Sequence, residues 1–86
     1  MSINVISVYP NPTSGLTTLS FNSMLDGKYN LKVFDVIGKV LISEDLSLSE
    51  GLNTKEINLQ NVSHGVYFVT IISEGMEAQT LRIIVE

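Results

Sequence analysis

The chain has one histidine, His64, in the run Ser63-His64-Gly65. A general base needs a partner within hydrogen-bond reach, and a nucleophile needs that base beside it. Neighbours in sequence point in different directions, so Ser63 and His64 do not make a dyad. His64 therefore reads as a solvent-exposed turn residue. The carboxylates Asp26 and Glu44-Asp45 belong to turns or rims and lack ligand spacing, and no D-x-D-x-D-G loop occurs. Sandwich loops sometimes gather carboxylates, which leaves calcium between loops as a minor alternative. Gly-rich phosphate loops are absent. The pattern argues against an enzyme and assigns no catalytic, cofactor-binding or metal residue. Sugar-binding modules stack sugars on exposed aromatic faces, yet there is no tryptophan. Tyr9, Tyr29 and Tyr67 all stand in apolar alternation, where a core or rim position with a hydrogen-bonded hydroxyl is expected. A stand-alone adhesion or carbohydrate-binding module is the alternative function.

Composition narrows the classes further. The 86 residues suit one small domain with a single core. With 44% hydrophobic and 16% charged residues, the chain is not of disordered type. The net charge is −4, and the five cations Lys28, Lys32, Lys39, Lys55 and Arg82 are scattered along the sequence. That is no footprint for nucleic acid or an anionic membrane. No apolar run approaches the ~20 residues of a transmembrane helix. The start, Met-Ser-Ile-Asn-Val-Ile-Ser, is not a signal peptide. Without cysteine, no disulfide contributes and the redox compartment cannot be read.

The elements that position these residues are strands. No segment keeps helical periodicity over the ~11 residues a helix requires. Turn signals recur instead about every 11–13 residues, close to the spacing of a β-sandwich. The expected strands cover residues 3–9, 16–22, 28–35, 39–45, 54–59, 65–73 and 77–85. Inward residues are Leu19 and Phe21; Tyr29, Leu31 and Val33; Val40 and Ile42; Ile57 and Leu59; and, on the side of the last strand that also carries Gln79, the residues Leu81, Ile83 and Val85. Asp26-Gly27 gives a hairpin signal within a turn over 24–27. In Asp35-Val36-Ile37-Gly38-Lys39, Asp35 is placed to accept backbone N–H bonds, and Gly38 to take the left-handed position of a type I turn with a G1 bulge. Residues 46–53 read as an irregular crossing closed by Gly51, with Leu46, Leu48 and Leu52 tucked under as a lid. Glu74-Gly75 marks the last turn. The run Gly65–Ser73 is apolar on both faces, which predicts a central strand covered on both sides. About seven strands give an all-β, immunoglobulin-like antiparallel β-sandwich.

Several marks then stand in a fixed order: Tyr9-Pro10-Asn11-Pro12-Thr13-Ser14-Gly15, Asp35-Val36-Ile37-Gly38-Lys39, Gly51-Leu52-Asn53, Gly65-Val66-Tyr67-Phe68-Val69 and Leu81-Arg82-Ile83-Ile84-Val85-Glu86. Together they resemble the C-terminal sorting domain of type IX secretion, type A, carried by secreted proteins of Bacteroidetes. The resemblance runs from about Val8 to Glu86 and implies a β-sandwich at the C-terminus of a larger cargo. It implies recognition by the type IX machinery, including an outer-membrane shuttle, and passage from the periplasm across the outer membrane. In surface-bound members a sortase-like peptidase removes the domain and attaches the cargo to an anionic lipopolysaccharide. Pro10, Asn11, Pro12 and Gly15 match the opening motif; Asp35, Gly38 and Lys39 the middle hairpin; Gly65 and Tyr67 the G-x-Y motif. Arg82, Ile83, Ile84, Val85 and Glu86 match the terminal motif, with arginine where lysine is commoner. The whole chain, residues 1–86, is expected to be a single sorting domain. Its signal peptide is expected at the head of the cargo, with Met1 an introduced start and the cleavage site at or before the first strand.

For mechanism, the last strand is expected to be a free edge whose unpaired N–H and C=O groups a receptor engages by strand addition. On that reading, deleting Arg82–Glu86 abolishes export and spares much of the fold. The competing reading is that these residues complete the sandwich.

Overall fold

A computed structural model describes residues 3–24, 26–73 and 79–86, with side chains from Ser7 onward. Seven strands follow one another: β1 (Ile3–Tyr9), β2 (Leu16–Ser23), β3 (Gly27–Asp35), β4 (Val40–Leu48), β5 (Gly51–Asn58), β6 (Gly65–Ser73) and β7 (Gln79–Val85). They form two antiparallel sheets, β1-β2-β5 and β4-β3-β6-β7. This is a β-sandwich of immunoglobulin-like arrangement in which the fourth strand pairs with the third rather than with the fifth. Leu25, the Glu74-Gly75 turn and the expected strand start at 77–78 lie outside the described residues.

Strand alternation drives the two sheets together. Leu19, Phe21 and Ile57 from the smaller sheet meet Leu31, Val33, Val69 and Ile83 from the larger, all at most 2% exposed. Tyr29 stands edge-on to Phe21, ring centroids 5.1 Å apart, at the centre of this layer. Burial and the carboxylate of Glu44 together raise the pKa of Tyr29 above its ordinary value.

Three connections differ from expectation. Asp26-Gly27 is not a hairpin, because β2 and β3 belong to different sheets; the Asp26 carboxylate instead accepts the Glu50 N–H at 2.8 Å. The 46–53 segment is not irregular: β4 runs to Leu48, β5 resumes at Gly51, and only Ser49-Glu50 turns the corner between sheets. Asn53 fixes that corner, donating to the carbonyls of Ser49 and Gly51 at 2.8 and 3.0 Å and accepting the Ser49 N–H at 3.1 Å. Leu48 is buried and Leu46 packs on the core, while Leu52 is exposed and forms no lid. At the start of β4 the register slips, pairing Val33 with Ile42 but Phe34 with Val40. This bulge turns Val40 outward, so only Ile42 of the expected pair reaches the core.

The four-stranded sheet is closed unevenly. β6 is central, as its composition requires, with Tyr67, Val69 and Ile71 buried. Among the described residues its other face has no second layer; Val66 and Phe68 are half-buried and Ile72 is exposed.

Candidate recognition site

The last strand is organised by the segment that follows the first. In β7, Arg82, Ile84 and Glu86 direct their backbone groups away from β6, since an edge strand pairs only alternate residues. Those groups are not free. The Asn11 side chain donates Nδ2–H to the Arg82 carbonyl at 2.8 Å and accepts the Ile84 N–H on Oδ1 at 2.9 Å. Thr13 continues the pairing through its backbone: its N–H donates to the Ile84 carbonyl at 2.8 Å, and its carbonyl accepts the Glu86 N–H at 2.9 Å. The result is a short parallel bridge between Thr13 and Val85.

The opening loop is held by its own contacts. The Thr17 hydroxyl donates to the Pro10 carbonyl at 2.9 Å. Buried Thr13 receives the Gly15 N–H on its hydroxyl at 3.0 Å, and donates that hydroxyl to the Leu16 carbonyl. Gly15 has φ +147°, and a Cβ there would come within 2.8 Å of the Gln60 side chain and 3.0 Å of its Cα. Glycine is required on both counts. The Gly15 carbonyl accepts the Leu59 N–H, which ties the loop to the chain entering β6. Pro10 and Pro12 themselves are exposed, and both prolyl bonds are cis.

The expected free edge is therefore corrected. From the Arg82 carbonyl to the Glu86 N–H, the outward groups of β7 are occupied within the domain. Ile83 and Val85 are buried at 0% and 4% exposure, so the terminal residues complete the sandwich.

The other motif residues divide by role. At the β3–β4 hairpin, the Asp35 carboxylate accepts the N–H groups of Ile37 and Lys39 at 3.0 and 2.9 Å. The Gly38 N–H donates to the Asp35 carbonyl at 3.0 Å, and Gly38 has φ +89°, the geometry of a type I turn with a G1 bulge. Gly65 opens β6 with φ +156°. Tyr67, two residues on, donates its hydroxyl to the Ser63 carbonyl at 2.5 Å. A tyrosine near the start of this strand, bonded back to the preceding turn, is the tyrosine corner of immunoglobulin-like sandwiches. Ile84 is half-buried on the outer face, and Arg82 and Glu86 are exposed. Thus Pro10–Gly15 and Arg82–Glu86 meet; Gly65 and Tyr67 lie directly across from Val85 and Ile83 on β6, and Asp35 at the hairpin pairs with Tyr67 one strand farther on.

His64 is exposed, and the Ser63 carbonyl beside it is engaged by Tyr67. Tyr9 is 53% exposed, outside the core, where Tyr29 and Tyr67 are buried. Among the described residues no group of three or more His, Asp or Glu side chains is placed to hold a metal. Among the described residues no helix is long and apolar enough to cross a membrane. Sequence reasoning passed over Thr13 and Asn53, whose polar side chains carry turn bonds, and the Phe34–Phe68 stack. Asn53 had a signal in the Gly51-Leu52-Asn53 mark, but its bonds to residue 49 are not visible in spacing.

The secretion system C-terminal sorting domain family matches residues 7–86. The chain belongs to that family. It is a sorting domain of type IX secretion, and such domains act as export signals rather than as catalysts. No curated protein matches this sorting domain. Among solved structures, a β-glucosidase from Listeria innocua, crystallised with isofagomine, is similar in fold at a TM-score of 0.55 and 16% identity. The match covers 98% of the sorting domain and 16% of the β-glucosidase chain.

Proposed function

We propose that this domain is the removable address of a larger exported protein. The cargo precedes it in the full chain and carries its own signal peptide to the periplasm. There the folded sandwich is recognised by the type IX machinery, through an outer-membrane shuttle, and the cargo crosses the outer membrane. A sortase-like peptidase then cuts at or before β1, releasing the domain and attaching the cargo to the cell surface. The domain itself performs no catalysis. The observation that carries this reading is the family match over nearly the whole chain. The Asn11–Ile84 junction supports it in kind, since a signal read as a folded body needs its last strand held in place.

The test is export of a fusion. A reporter enzyme with a periplasmic signal peptide, followed by residues 1–86, is expressed in a Bacteroidetes host and in a strain lacking the type IX outer-membrane pore. Reporter outside the outer membrane in the first strain and confined to the periplasm of the second is expected. Periplasmic retention in both overturns the reading. Labelling the reporter's new C-terminus by mass spectrometry tests removal and attachment separately.

A further inference from the structure

Among the described residues the outer face of the four-stranded sheet has no covering layer, and its composition is uneven. One row of direct cross-strand partners runs Val40–Phe34–Phe68–Arg82 across all four strands. The two phenyl rings stack with centroids 5.6 Å apart at an interplanar angle of 26°. Val66 and Ile84 pair in the next row and extend the apolar strip toward the Asn11 junction. On the opposite side of the strip, Lys32 lies directly across from Ser43 and Thr70. Val36 and Ile37 at the hairpin tip are 70% and 85% exposed, which lengthens the apolar surface beyond the sheet.

Nearest the rings the charges are Lys32 and Arg82; Asp45, across from Asn30 one row beyond Lys32, and Glu86, two residues past Ile84, lie farther out on the same face. Arg82 and Lys32 have no ion-pair partner among the described residues; the pair that does form, Lys55–Glu44 at 3.1 Å, stands at the sandwich side between β4 and β5. The Asp35 carboxylate is occupied by its own turn. In a chain of net charge −4, the two charges nearest the stacked aromatic pair are both cationic and have no ion-pair partner among the described residues. Exposed apolar surface rimmed by charge is the pattern of a protein-binding face.

We infer that this face, centred on Phe34 and Phe68 and flanked by Lys32 and Arg82, docks an acidic polypeptide surface of the export machinery that presents carboxylates around an apolar side chain. The inference rests on the sorting role proposed above and adds to it the face and the charge of the partner. The apolar side chain meets the stacked rings, and the carboxylates pair with Arg82 and Lys32. Asn11 contributes indirectly, by holding the Arg82 carbonyl and so the place of that side chain on the strip.

The experiment compares export of the reporter fusion for the wild-type domain, K32E/R82E, K32Q/R82Q and a control on the other sheet, T18E/T54E, which changes the net charge as much as K32Q/R82Q does. Binding of each purified domain to the purified outer-membrane shuttle in detergent, and to phosphatidylglycerol vesicles, is measured alongside. K32E/R82E is expected to weaken shuttle binding by at least about tenfold and to lower export with it, T18E/T54E to leave both unchanged, and binding to fall with added salt. K32Q/R82Q gives the same direction if the double reversal does not fold. Undiminished export of folded K32E/R82E and K32Q/R82Q overturns the inference while leaving the sorting role intact. Failure of the wild-type fusion to export overturns the sorting role itself. Charge-dependent binding to the vesicles without binding to the shuttle assigns the face to an anionic lipid surface and overturns the polypeptide partner.

Discussion

Asn11 and Ile84, 73 positions apart, are joined as if they were partners in a sheet: the Asn11 side-chain oxygen takes the Ile84 N–H at 2.9 Å while its nitrogen serves the Arg82 carbonyl. A carboxamide has the donor and acceptor of a peptide group, so one side chain substitutes for a residue of a neighbouring strand. Aspartate would keep the acceptor and lose the donor. Alanine at position 11 should lower stability by about 1–2 kcal/mol, the net worth of two hydrogen bonds at a partly exposed site. For a domain of this size that is a drop in Tm of roughly 4–16 °C. A thermal melt followed by circular dichroism checks it, and an unchanged Tm contradicts it.

Removal of residues 82–86 should unfold the domain rather than expose a usable edge. Ile83 and Val85 are buried, each worth about 1.5–3 kcal/mol, and β6 would lose its partner as well. Against a total stability on the order of 4–13 kcal/mol, that loss is decisive. Far-ultraviolet circular dichroism of the truncated domain should show no cooperative transition; a sharp melt would show that the strand is dispensable to the fold.

Tyr67→Phe keeps the ring in the core and removes the bond to the Ser63 carbonyl. The expected cost is about 1 kcal/mol, or a Tm lower by roughly 4–8 °C. Tyr67→Ala, which also opens a cavity, should cost about 3–5 kcal/mol, by analogy with other aromatic truncations. Equal Tm values for wild type and Tyr67→Phe would leave the hydroxyl without a structural role.

Tyr29 sets an alkaline limit. Burial and Glu44 raise its pKa in the folded state, so above about pH 10 the folded chain retains a proton that the unfolded chain gives up. Its contribution is intact below pH 10 and is lost as pH rises through the higher folded value. Stability measured by urea unfolding should fall between neutrality and pH 11, and Tyr29→Phe should flatten part of that slope. A slope identical in the two proteins contradicts the assignment.

The sequence made the strands themselves readable because most of them alternate cleanly. Tyr29, Leu31 and Val33 needed only a period of two to be placed inward. Val40 was misplaced because a bulge adds a residue to one strand, and alternation counted from the wrong side flips every residue before it. Asp26-Gly27 has the composition of a hairpin turn, yet composition does not say whether the chain stays in its sheet or crosses to the other. Gly15, Gly38 and Tyr67 were legible as motif positions and find local geometric explanations. The role of Asn11 was not legible, since its partners lie at the far end of the chain.

The central structural claim is that the opening motif closes the edge of β7. Amide hydrogen exchange of the labelled domain by nuclear magnetic resonance tests it residue by residue. The Ile84 and Glu86 amides should be protected, while the Arg82 amide, on the same side of the strand and without a partner among the described residues, should exchange faster. Asn11→Ala should speed Ile84 by at least about tenfold, the equivalent of one lost bond of ~1.4 kcal/mol. Ile84 exchanging as fast as Arg82 in the wild-type domain would contradict the closed edge and return β7 to the role of an open strand.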